Sequence, residues 1–396
     1  MLEITSHRNG ELLSARHGKE SPDELTIQLR GIASIQSKVT VNGMAVQRRD
    51  REFFLDLPLR EKINRVTVHA KDKYGERTQT IVLVWDKGSF KRYAVRIDDN
   101  SFVFTDLAKN KYSSIFDHFY LKKLKELHEK YGSKFILKCF YENAHDPKKS
   151  NLSQVPECYR DEFDRSSEWL HLAFHAWAEF PDRPYQHCTT ERLAHDFDTT
   201  TAELRRIAGP RCCTPPTNVH WAMLEPHNFS FMRSRGVKIL TSSGFMSNRI
   251  IVDGRVETLN QGGCDIGFFY EQDVARYMLE KRCFYDADYD LFLSRSFFCF
   301  NIDTPEEIEE KIKAEDSKGE SDIIESVGHE QYAYPSYAMY LPDYFKRLEA
   351  SCRVPAVLGY KPVFFQNGIF GNTAWRRFGY MSFSYFSPMP AATASL

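Results

Sequence analysis

Apolar and polar residues alternate through the first part of the chain. In ELTIQLRG, SKVTVNGMAVQ, REFFLDLPL, NRVTVHAKD and RTQTIVLVWDK they take turns, which is the two-residue period of strands with one buried face. Asn42–Gly43 marks one tight hairpin, and Lys73–Tyr74–Gly75 closes another. No helical period interrupts the run. Residues 1–88 are therefore expected to form an antiparallel, all-β sandwich.

From Tyr93 the pattern changes. The apolar strand YAVRI leads into DDNSF, and SIFDHFYLKKLKELHEKYG follows with Phe116, Phe119, Leu121, Leu124 and Leu127 at helical spacing and Gly132 as a stop. Strand-like segments KFILKCFYE, WLHLAFHAW, VKILTSS and RSFFCFNID then alternate with the helical TTAELRRIAG, PEEIEEKIKAED and YLPDYFKRLEASC. Such alternation predicts βα units, with a parallel sheet or barrel whose sites lie at the strand C-termini. The chain thus reads as multidomain, with an α/β domain over residues 89–396. KAEDSKGESD (313–322) reads as a charged surface loop.

Composition narrows the partners. Lys and Arg number 53 against 54 Asp and Glu, so there is no basic excess to neutralise a phosphate backbone, and nucleic acid is not expected as the main partner. No apolar run approaches the ~18–20 residues of a membrane span. The nine cysteines are irregularly spaced, none in C-x-x-C, which fits reduced thiols. With no signal peptide legible in MLEITSHRNGELLSARHG, a cytoplasmic location is the expectation.

Two pairs of residues stand out chemically. Asp98 and Asp99 follow an apolar strand, and adjacent carboxylates there repel unless a cation or base relieves them. They also suit a solvated turn or a helix cap. His171-x-x-x-His175 lies in otherwise apolar WLHLAFHAW. In a straight strand two such imidazoles stand about 13 Å apart, too far to share one ion. The motif therefore predicts that this strand ends near Leu172–Phe174 and turns. His329, in ESVGHEQY, has the reference pKa of a general acid near neutrality, and Glu330 and Tyr332 are placed to orient it or to bind substrate. His145, His187, His195, His220 and His227 show no comparable spacing and read as structural. No P-loop, G-x-G-x-x-G or G-x-S-x-G occurs.

Taken in order, a strand ending in Asp98–Asp99, H-x-x-x-H at 171–175, Pro215–Pro216 and a late His329 resemble the NodB-like polysaccharide deacetylases, over roughly residues 89–365. The resemblance implies a distorted (β/α) barrel with Asp98 as base, Asp99, His171 and His175 as metal ligands, and His329 as acid. Two His and one carboxylate with an open position make zinc the expected ion. Residues 1–88 resemble the immunoglobulin-like modules of bacterial carbohydrate enzymes. The chain departs from the family pattern at Asn100, where Gly is usual, at Leu172, where Ser or Thr is usual, and at Thr214, where an Arg precedes the two prolines. That Arg normally pairs with the base, which leaves Arg96 or Arg211 to supply it. The expected activity is metal-dependent removal of an acetyl group, N-acetyl in the first instance, from a carbohydrate. The alternatives are hydrolysis of another amide or a glycoside, or carbohydrate binding without catalysis.

Overall fold

The computed structural model describes residues 1–242, 249–252, 255–258, 266–320 and 322–375. It is a mixed α/β structure with several sheets. The alternating segments become the strands Leu25–Ala33, Lys38–Val41, Glu52–Leu59, Ile63–Asp72 and Gly75–Trp85, which with shorter strands make two five-stranded sheets. Their pairings are antiparallel except for Glu11–Leu13, which runs parallel to Gly75–Trp85. Leu25, Ile27 and Leu29 of one sheet and Val66, Val68 and Leu83 of the other share one buried core. Asn42 and Gly43 take φ of 48° and 80°, the left-handed conformation that a two-residue hairpin requires.

In the second half, the strands Leu170–Ala176, Phe135–Phe140, Arg92–Asn100, Ile323–His329 and Phe298–Cys299 lie side by side in that order, all parallel. Arg92–Asn100 is central and buried at every position. The helix expected from Ser114 begins at Phe119, because Ser114 caps a separate turn over Ile115–Asp117. It buries Leu121, Leu124 and Leu127 and ends at Gly132, as the spacing predicts, and buries Tyr120 as well, whereas Phe119 is exposed and Phe116 lies in the preceding turn. Two expectations change. RSFFCFNID contributes only the two-residue strand Phe298–Cys299. The first part of the supposed loop at 313–322 is the last turns of the helix Pro305–Lys318, started by a Thr304/Glu307 capping box and stopped by Gly319. Cys264 and the chain beyond residue 375 lie outside the described residues. No helix among those described is long and apolar enough to cross a membrane.

Buried polar contacts join the two halves. The Arg92 guanidinium donates to Asp86 Oδ2 at 2.8 Å and to the Phe370 carbonyl at 2.7 Å, while Asn372 donates to Asp86 Oδ1 at 2.8 Å. Trp375 packs edge-on against Trp85, with ring centroids 5.1 Å apart. Gly10 has φ of 79°, and a Cβ there would stand 2.3 Å from the Phe284 ring. Only glycine allows that approach.

Candidate metal centre

The C-terminal ends of the parallel strands bring the charged residues together. Along a regular strand successive side chains face opposite ways. Asp99 breaks that alternation with φ of 64°, and the register with the Phe135–Phe140 strand slips between Ile97 and Asn100. This bulge lets Asp98 and Asp99 line the same cleft, of about 380 Å³. Asn100 is fully buried and pins the bulge. Its Nδ2 donates to the Ile97 carbonyl at 2.7 Å and the Lys138 carbonyl at 3.0 Å, and Tyr120 donates to its Oδ1 at 3.1 Å.

Asp99, His175 and His220 converge. Asp99 Oδ1 stands 3.0 Å from His175 Nε2 and 3.2 Å from His220 Nδ1, and the two ring nitrogens are 3.2 Å apart. All three residues are buried. Three corners of a tetrahedral zinc site with bonds of ~2.0–2.1 Å lie about 3.3 Å apart, so the triangle is close to what one ion needs. Burial lowers the His175 pKa despite the nearby carboxylates, which favours the neutral ligand form. Burial alone would raise the Asp99 carboxyl, but His220 and His175 hold it well below the ordinary value. The set fits a divalent cation.

His171 does not join it. The strand it sits on does not end at Leu172–Phe174 but runs extended through Ala176, so His171 and His175 remain apart along it. The His171 ring stacks on Phe364 at 3.7 Å and accepts a hydrogen bond from Gln366 Nε2 at 2.9 Å. Burial pushes its pKa down to about 4. His220, read above as structural, occupies the third corner instead. It arrives on a turn after Pro215–Pro216, where Cys213 bridges to Leu172 and Trp221 and Ala222 take φ of 62° and 52°. Position 220 has no periodic relation to 99 or 175, so only the fold reveals it.

Asp98 is directly beside the triangle. It is in register with His329 on the neighbouring strand. Its Oδ1 lies 3.3 Å from Arg96 Nε, and its Oδ2 accepts from Asn218 Nδ2 at 3.1 Å. Burial opposes ionisation, but Arg96, His175 and His329 together keep the carboxyl below its usual range. Arg96 is thus the cation beside Asp98. Arg211 is spent at the surface on Asp164, 2.7 Å away. Arg96 also reaches Ser296 Oγ at 3.3 Å and lies 4.0 Å from Glu325.

His329 lines the same cleft, with Nδ1 donating to Asn301 Oδ1 at 2.8 Å, which leaves Nε2 without that partner. Burial lowers its pKa, but Asp99, Cys299 and Asp98 outweigh burial and bring it up to about 9. Tyr332 lines the cleft too. Glu330 does not: it accepts from the backbone N–H groups of Ser101, Phe102 and Val103 at 2.7, 3.0 and 2.7 Å, capping the helix behind the aspartates.

No protein-family model matches the chain, and no curated protein matches it. Among solved structures it is similar to a peptidoglycan N-acetylglucosamine deacetylase in complex with an N-hydroxybenzamide, at 10% identity over 69% of this chain and 85% of that one, with a TM-score of 0.32. It is also similar to a family 4 acetyl xylan esterase from Clostridium thermocellum in complex with a cobalt ion, at 14% identity over 40% of this chain and 60% of that one, TM-score 0.25. A third similarity is to the titin domains z1z2 in complex with telethonin, at 13% identity over 25% and 56%, TM-score 0.17. The chain spans less than two thirds of the esterase and titin structures. Likeness this faint establishes no activity, so the chemistry rests on the side chains described above.

Proposed function

We propose that this protein is a metal-dependent hydrolase that removes an acetyl group, most naturally N-acetyl, from a carbohydrate. The observation that carries the reading is the triangle of Asp99, His175 and His220, with a second carboxylate, Asp98, and one proton-bearing group, His329, beside it. Asp99, His175 and His220 would hold the ion, zinc by the chemistry of the donor set. When bound, such an ion polarises the acetyl oxygen and makes water a better nucleophile near neutral pH. Asp98 accepts the proton of the attacking water, held ionised and aimed by Arg96 and Asn218. His329, steadied through Nδ1 by Asn301, carries a proton that Nε2 delivers to the departing amine. The buried walls of the cleft keep bulk water from screening these charges.

The same reading assigns the parallel sheet and its helices to a distorted (β/α) barrel, and the two N-terminal sheets to an immunoglobulin-like module that positions or packs against it. The motif order over residues 89–365 supports the first assignment, and the alternation and turns of residues 1–88 support the second. The test is acetate release from acetylated oligosaccharides. Chelation should abolish it and zinc should restore it. Release of reducing sugar in place of acetate, or full activity in Asp98→Asn, would overturn the proposal.

A further inference from the structure

We infer that Glu179 selects the substrate by the groups it carries: the cleft takes a neutral or amine-bearing glycan and rejects one bearing carboxylates. The inference rests on the proposed hydrolase reading and extends it to a substrate class. Glu179 lies four residues past His175, and Gln331 two past His329, each in the segment that follows its strand. They meet across the cleft, where Gln331 Nε2 donates to Glu179 Oε2 at 2.6 Å. His145 Nε2 binds the same oxygen. Gln331 is buried, and the His145 ring is packed by Phe102 at 5.6 Å and Tyr337 at 5.3 Å. The carboxylate is therefore fixed in place, and its side chain is only 15% exposed.

Both donors go to one oxygen. Oε1 takes no hydrogen bond from the described residues, although Glu179 lines the cleft. A carboxylate oxygen can only accept. A sugar hydroxyl or ammonium satisfies it, whereas a sugar carboxylate meets it as a like charge. His145 offsets part of Glu179's charge, but Asp182, on the same cleft, has no ion pair among the described residues. Among the described residues the arginine lining the cleft is Arg96, which is committed to Asp98 and lies beside Glu325, and the other basic group facing Asp98 is His329, in register with it, so neither offsets Glu179 and Asp182.

The test is isothermal titration calorimetry of the zinc-loaded full chain with three unacetylated tetrasaccharides, so that no turnover intervenes: chitosan tetramer, cellotetraose and tetragalacturonate. The first two should bind, and the uronide at least about tenfold more weakly. Glu179→Gln should weaken chitosan tetramer by about tenfold and narrow the gap to the uronide, with bound zinc unchanged. If that protein does not fold, Asp182→Asn carries the test and should narrow the gap by about threefold. The inference is overturned if the uronide binds as tightly as cellotetraose, if no tetrasaccharide binds, or if neither substitution changes the ranking. Zinc content and acetate release by the unmodified protein report separately on the hydrolase reading, so the two can fail independently.

Discussion

Along Leu25–Ala33 every second residue is buried, and those residues are Leu25, Ile27, Leu29, Gly31 and Ala33. Along Arg92–Asn100 all nine are buried, and among them are Arg92, Arg96, Asp98 and Asp99. The first strand gains by removing apolar surface from water and leaves its charges outside. The second takes charges out of water, which costs several kcal/mol per ion unless partners compensate. Each of its charges has them: Asp86 for Arg92, Asp98 for Arg96, the imidazoles for Asp99. Where a chain buries ionised groups at the end of a parallel strand, the compensation itself becomes a site, and the apolar core of the N-terminal sheets has no such arrangement to offer.

The contrast can be broken most sharply at the metal centre. Asp99→Ala and His220→Ala should each lose the bound ion, with affinity reduced by more than the roughly 100-fold typical of outer-sphere losses. His171→Gln should keep one ion per chain. Elemental analysis after dialysis decides this, and an ion retained by His220→Ala but lost by His171→Gln would reinstate the sequence-based ligand set.

Next in size is Arg96→Met, which leaves Asp98 and Glu325 without their buried cation. It should cost about 3–5 kcal/mol in urea unfolding. Arg211→Ala, at an exposed pair, should leave the midpoint where it is. Equal effects would mean that burial does not distinguish the two arginines.

The pH dependence of stability tests His171. Its pKa lies at about 4 in the fold against an ordinary 6.5, so the unfolded chain takes up the proton first as pH falls. Stability is therefore intact above pH 6.5 and declines toward pH 4, by at most about 3 kcal/mol from this group. His171→Gln should flatten that part of the profile, and an unchanged slope would show that the ring is not held neutral.

The smallest effect belongs to the N-terminal sheets. Gly43→Ala, at φ of 80°, should cost roughly 1 kcal/mol and leave zinc content untouched. A loss of zinc there would show that the two halves are coupled more tightly than their chemistry suggests.

The strands and most helices were legible because they follow from local periodicity. Alternation located the strands Leu25–Ala33, Lys38–Val41, Glu52–Leu59, Ile63–Asp72 and Gly75–Trp85 within two residues but missed the short strands Leu2–Ile4, Glu11–Leu13 and Gly18–Glu20, and the spacing of Leu121, Leu124 and Leu127 located a helix that Gly132 ends. The Asp98–Asp99 pair and His329 were legible as chemistry because they stand at strand ends, and the structure places them on one cleft. His171 misled because a four-residue spacing means proximity on a helix and separation on a strand. The sequence pattern could not decide whether the chain turned between the two histidines.

By itself, then, the sequence determined most of the elements and the order of the chemical groups, since these depend only on neighbours along the chain. The tertiary structure alone decided that His220 completes the triangle, that Arg96 serves Asp98, and that Gln331 and His145 hold Glu179. Each joins residues dozens to more than a hundred positions apart, or turns on which way a buried side chain faces. A pairing of that kind has no period to read, because it is set by where parallel strands end and how the connecting segments fold back over them.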